Sequence, residues 1–216
     1  MRNKFQMNEQ IFFDFKTNSV LDIHSFFVNR TNEEAFSLIT NVNFFENIIL
    51  VGPRKSGKSH LANIWRDNKK ALIFKNNIDE IISQNKNVLI ENLFYDLDEE
   101  KIFYLINHCI SHKLNVLVTS DIDLYEYKFN LPDLLSRLKV FNYVSINKPD
   151  DEILINVLTK LLMEKQFIIK NIDIFEFLLK RVNRTYEDIY NLVNKMDKLS
   201  LEKKRQLTIP LIRELI

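Results

Sequence analysis

The segment Asn47-Ile48-Ile49-Leu50-Val51-Gly52-Pro53-Arg54-Lys55-Ser56-Gly57-Lys58-Ser59-His60 decides the fold. An apolar run leads into Gly-x-x-x-x-Gly-Lys-Ser, and Leu61-Ala62-Asn63-Ile64-Trp65 continues with helical spacing, so the order is strand, loop, helix. This pattern is a phosphate-binding loop. Its two glycines are the only ones in 216 residues. Glycine serves where backbone takes positive φ or approaches a ligand closely, so a chain that elsewhere does without it has kept it where a phosphate chain would need it. Successive N–H groups from Gly52 to Ser59, with His60 continuing into the helix, are expected to cradle phosphates at the positive end of the helix dipole. Lys58 would place its charge toward the β- and γ-phosphates, and the Ser59 hydroxyl would ligate Mg²⁺. The expected ligand is ADP or ATP with Mg²⁺.

Composition sets the outer bounds. With 46% apolar residues and seventeen Phe, the chain can bury a substantial core. No apolar run approaches the roughly 18 residues that span a bilayer, and the N-terminus has no signal-peptide pattern, so a cytoplasmic location without membrane contact is expected. A formal net charge of +1 gives no bulk electrostatic case for nucleic-acid binding. The single cysteine, Cys109, falls on an apolar helical stripe and reads as a core thiol.

Five strand-like runs, Ile48 to Val51, Ala71 to Phe74, Val88 to Glu91, Val116 to Thr119 and Tyr143 to Ile146, alternate with helical patterns. That alternation predicts an α/β fold with a five-stranded parallel sheet. After Pro149 the pattern turns wholly helical over Asp150 to Gln166, Asp173 to Val182 and Thr185 to Lys203, with a short terminal helix after Pro210. Expected units are an extended arm over 1–25, a nucleotide-binding core over 26–149 and a small α-helical lid over 150–216.

Further polar residues sit where such a core does its chemistry. The third strand ends in Glu91-Asn92, the place of a Walker B acid pair. Glu91 can serve Mg²⁺ directly or through water, but the Asn92 amide cannot take a proton as a carboxylate would, so intrinsic hydrolysis is expected to be weak or absent. After the fourth strand, Asp121 is placed to touch the γ-phosphate or the attacking water, the role called sensor I. Arg137 lies near the end of a short helical segment, Arg184 at a helix start in the lid, and a guanidinium fork suits phosphate oxygens at either place. An arginine taken alone is more often a surface ion-pair partner, and it is the order after a phosphate loop and an acidic strand end that singles these two out.

The order of these motifs over nearly the whole chain resembles AAA+ ATPases of the DnaA replication-initiator family. Ser136-Arg137 matches that family's arginine-finger box and Arg184 its sensor II arginine. Ser25-Phe26-Phe27-Val28-Asn29-Arg30-Thr31-Asn32-Glu33-Glu34-Ala35 is similar to the family's N-terminal motif of Phe, Gly, Asn and Ala, with Asn29 replacing the glycine. Asn is the next most tolerant residue of positive φ, and the same stretch also reads as an N-capped helix starting near Thr31 or Asn32.

The resemblance favours the family's regulators over DnaA itself. No room is expected for an N-terminal oligomerisation domain or a dedicated DNA-binding domain. Gln10-Ile11-Phe12-Phe13-Asp14-Phe15 is close to the peptide that binds the DNA polymerase sliding clamp, with Gln10, Ile11, Phe13 and Phe15 as anchors; docking of this strand on the chain's own core is the alternative. Arg205-Gln206-Leu207-Thr208-Ile209-Pro210 also resembles the terminus of such regulators. What the resemblance implies is a nucleotide-bound protein, recruited by the sliding clamp, that presents Arg137 to ATP on DnaA and stimulates its hydrolysis. An active AAA+ helicase loader, a small P-loop kinase and an inert nucleotide-stabilised adaptor are the competing readings, and homo-oligomerisation is left open. His108 and His112 have a metal-compatible spacing but no evident third ligand, and read as a solvated helix face.

Overall fold

The computed structural model describes residues 23–75, 78–95, 98–167, 173–204 and 212. Strand β1 (Ile48–Val51) lies inside the sheet, flanked by the central strand β4 (Val116–Ser120) and the edge strand β5 (Asn142–Ser145), with β3 (Val88–Ile90) and β2 (Leu72–Ile73) beyond β4. All pairings are parallel, in the order β2-β3-β4-β1-β5. The five predicted strands are therefore present, each within about a residue or two of its predicted ends.

Parallel strands covered on both faces read as unbroken apolar runs, and β1 is an example, buried at every position. Ile49 and Val51 join one core cluster with α4 (Glu99–Ser111) and α5 (Pro132–Leu138), while Ile48 and Leu50 join a second with α1 (Glu33–Thr40) and α2 (Lys58–Lys69). Trp65 of α2 is 1% exposed in the second cluster, as its place in the pattern implied. Cys109 is fully buried on α4, and burial pushes its thiol up to about 12, which keeps it protonated and unreactive.

Beyond β5, α6 (Asp151–Glu164), α7 (Asp173–Leu179) and α8 (Tyr186–Lys203) build a separate apolar cluster from Leu154, Leu158, Leu178, Ile189 and Met196. Asp150 and Thr185 cap α6 and α8 by accepting from Ile153 N and Asp188 N. No helix among the described residues is long and apolar enough to cross a membrane. α2 and α8 each end on a lysine at positive φ, Lys70 and Lys204, where glycine is the usual stop. The helix expected after Pro210 lies outside the described residues, apart from Ile212, which is buried in the helical cluster.

Two expectations about the N-terminal region change. Ile23–Ser25 is a single 3₁₀ turn, not the end of an extended arm. Asn29 is not among the residues at positive φ, so it does not replace glycine for conformational reasons. Its side chain has another use. Its Oδ1 accepts from Thr31 N at 2.9 Å and Thr31 Oγ1 at 2.7 Å, while Nδ2 donates to Asp150 Oδ1 at 3.0 Å. Asn29 thus joins the turn before α1 to the cap of α6. Asn32 holds the N-cap position of α1 but makes no capping bond; its Oδ1 accepts from Asn29 N and its Nδ2 donates to Phe27 O. Asn29→Ala is expected to lower stability by about 1–2 kcal/mol in urea unfolding. Asn29→Gly should lose as much, because the backbone needs no glycine here; a stabilised Asn29→Gly protein would reverse this account.

Candidate functional site

The loop after β1 is shaped by its two glycines in different ways. A Cβ at Gly52 would lie 3.0 Å from both Cβ and O of Ile146, so the residue is fixed by close packing against the exit of β5. Gly57 has φ 96° at the N-cap of α2, and a Cβ there would lie 2.8 Å from Phe26 Cε2. Phe26 in turn stacks on Phe36 and meets the His60 ring edge-on, with centroids 5.4 Å apart. The turn before α1 is therefore packed directly onto the loop.

Lys58 is 7% exposed, and its ammonium donates to Gly52 O at 2.7 Å and Pro53 O at 2.8 Å. Burial pulls its pKa below the ordinary lysine value, with the nearby Asp121 charge opposing. Arg54 Nε reaches Asp121 Oδ2 at 2.9 Å, which holds the Asp121 carboxyl below the usual range. Arg54, Lys58, Ser59, Asn92 and Asp121 line one cleft of about 740 Å³, together with Lys55, Gly57 and His60. The lid closes the far side through Lys160, Glu187 and Tyr190.

Adjoining it is a smaller, mostly apolar cavity of about 90 Å³ between Phe26, Gly57, Ile153, Val157 and Tyr186. Two hydroxyls on its walls, Ser56 Oγ and Tyr186 OH, are buried and make no well-formed hydrogen bond among the described residues, although Thr31 adjoins Tyr186. Buried polar groups are normally satisfied, so these two mark room for a ligand with a polar edge. Loop and lid also meet here. Lys55, at φ 62°, holds its ammonium 5.5 Å from the Tyr190 ring centroid, and Lys160 Nζ donates to Ser25 O at 3.0 Å. Sequence reading missed Tyr186, Tyr190 and Lys160, since nothing in a helical stripe tells which aromatic faces a neighbouring unit.

The other candidate residues lie apart from the cleft. Glu91 is half-buried just after β3 and does not line it; Asn92 does, at φ 53°, with its N–H donating to Thr119 Oγ1 at 2.9 Å. Arg184 is exposed and pairs with Asp151 at 3.2 Å across the helix starts of the lid. Arg137 is exposed on α5 and outside the cleft. Gln10, Ile11, Phe13 and Phe15 lie outside the described residues, as does the segment 205–210. No group of three or more potential metal ligands occurs among the described residues, and His108 and His112 simply stack at 4.1 Å.

Comparison with known proteins bears on both units. Residues 151–216 match the family model described as Hda, lid domain. The fold is similar to domain III of the Thermotoga maritima replication initiation protein DnaA, with TM-score 0.76, 12% identity and coverage of 92% of this chain and 96% of that one. The fold is that of DnaA-type AAA+ proteins, and it carries a lid of the Hda type. AMPPCP-bound DnaA from Aquifex aeolicus is similar at TM-score 0.65 and 16% identity, covering 87% of this chain and 69% of that one. A Thermotoga maritima RuvB variant aligns at TM-score 0.65 and 14% identity over 87% and 68%. At these identities the structural likeness speaks for the AAA+ fold, while the Hda match rests on the lid.

Proposed function

We propose that this chain is a nucleotide-binding regulator of replication initiation that acts on DnaA. The observation that carries the reading is the Hda-type lid over 151–216 seated against a phosphate-binding loop through Lys160, Tyr186 and Tyr190. In this reading the nucleobase enters the apolar cavity beside Phe26, where Tyr186 OH and Ser56 Oγ await polar partners, and the phosphates extend along the cleft toward Lys58. Occupancy ties loop to lid. AMPPCP binding by the Aquifex DnaA is in keeping with this.

The residues present fit a magnesium ion that arrives with the nucleotide. Ser59 is exposed at the start of α2 and lines the cleft, and Glu91 follows β3 nearby in sequence to Asn92, so most ligands would come from phosphate oxygens and water. Such an ion supplies charge neutralisation at the phosphates. The chain's own contribution to hydrolysis is small, because an amide, Asn92, holds the cleft position from which a carboxylate would orient water. Hydrolysis is therefore assigned to the partner. Arg137, exposed and outside its own cleft, is the group offered to ATP on DnaA.

The deciding experiment measures ATP turnover by DnaA on clamp-loaded DNA with and without this chain. Stimulation with little turnover by the chain alone supports the regulator; strong turnover by the chain without DnaA would replace it with an active loader. Recruitment is assigned to Gln10, Ile11, Phe13 and Phe15. Gln10→Ala is expected to lower capture of the chain by immobilised sliding clamp about tenfold or more, by analogy with the loss of an anchoring contact. Undiminished capture would return that segment to the chain's own core.

A further inference from the structure

Arg54 occupies the third position of the loop, where its side chain is 68% exposed yet fixed on Asp121 at 2.9 Å. The partners come from different elements, the loop after β1 and the exit of β4, so the ion pair crosses the cleft. It crosses at the phosphate end: the Asp121 and Arg54 charges both act on Lys58, whereas the apolar cavity lies on the Phe26 side. Glu187 in the first turn of α8 also bears on Arg54 and lines the cleft. Arg54 is therefore bonded to a carboxylate of the core, Asp121, and feels the charge of a second on the lid, Glu187. The guanidinium fork binds carboxylate and phosphate oxygens in the same geometry, and Asp121 holds it by Nε alone, so an incoming terminal phosphate and Asp121 compete for the Nε edge.

We propose that the Arg54–Asp121 pair sets how strongly the site discriminates a nucleoside triphosphate from a diphosphate. This rests on the nucleotide reading of the cleft. With the pair intact, the terminal phosphate of a triphosphate meets a fixed carboxylate and a guanidinium whose Nε is already engaged. A diphosphate ends short of that pair. Binding of a triphosphate draws Arg54 from Asp121 to phosphate, so the cost of breaking the pair falls on the triphosphate alone. Because Glu187 acts on the same guanidinium, the exchange is also felt by the lid.

The test titrates fluorescent ATP and ADP with Mg²⁺ onto the full chain, its Asp121→Asn and Arg54→Met variants, and the double variant. Asp121→Asn removes the carboxylate charge and frees Arg54, and should raise ATP affinity relative to ADP roughly tenfold, the scale of one partly screened charge interaction. Arg54→Met should shift the ratio the other way by a similar factor. In the double variant the two effects should fail to add, as expected for groups in contact. An ATP-to-ADP ratio unchanged within about twofold in both single variants would overturn the proposal while leaving nucleotide binding in place. Failure of the unmodified chain to bind either nucleotide would remove the site reading and this proposal together.

Discussion

Under the proposed regulatory function, Arg137→Ala is expected to abolish stimulation of DnaA's ATP turnover while nucleotide binding by this chain stays unchanged. An arginine supplied across an interface to a phosphoryl-transfer site is worth roughly 10³ to 10⁵ in rate, because its charge meets the transition state in a water-poor setting. The structure makes the separation of effects clean. Arg137 stands exposed near the end of α5 and lines neither the 740 Å³ cleft nor the cavity beside Phe26. Its neighbours Leu134 and Leu138 are fully buried and hold the helix on the core, so truncating the exposed arginine should leave the fold intact. Arg137→Lys keeps the charge but not the fork and should recover little. Stimulation retained within about twofold in Arg137→Ala would move the function to another surface. Loss of nucleotide binding would show that the residue acts on its own site.

Gly57→Ala should be the most damaging single methyl in the core. Two costs combine at one atom. The residue has φ 96°, outside the ordinary range of an L side chain, and its new Cβ would lie 2.8 Å from Phe26 Cε2. The conformational cost is about 1–2 kcal/mol, and overpacking adds about 1–3 kcal/mol if Phe26 cannot move. Phe26 has little freedom, since it stacks on Phe36 and meets the His60 ring edge-on. A loss of about 2–5 kcal/mol in denaturant unfolding is expected, with nucleotide affinity falling alongside it. A double-mutant cycle with Phe26→Ala separates the costs: in the Phe26→Ala background the clash is gone, so Gly57→Ala should cost only the φ part, about 1–2 kcal/mol. No change in stability on Gly57→Ala would show that Phe26 yields freely.

Much of this was readable from the chain alone, for physical reasons. β1 and the first three residues of β4 are buried on both sides and so are written as continuous apolar runs, which fixes them without tertiary knowledge. The phosphate loop was legible because backbone demands restrict its glycines. Contacts between units were not. Asn29 matched a family position held by glycine, and the inference of positive φ followed the residue type when the side chain was in fact bridging to Asp150. Tyr186 and Arg184 sit two residues apart, yet the tyrosine opens α8 and lines the cavity while the arginine, before the Thr185 cap, turns to Asp151, a difference that spacing alone does not determine. Arg54 was readable as a loop residue, but its partner lies 67 positions away, where only the sheet order brings it near.

The left-handed residues leave this protein with an uneven reserve of stability. Lys70 and Lys204 terminate helices in a conformation that glycine adopts at lower energy, while Lys55 and Asn92 hold the same conformation at the rim of the cleft. Glycine at the helix stops would relax strain remote from any ligand. At the rim it would instead let the walls wander, so a sturdier version of this protein should be sought at its helix ends and never around its cleft.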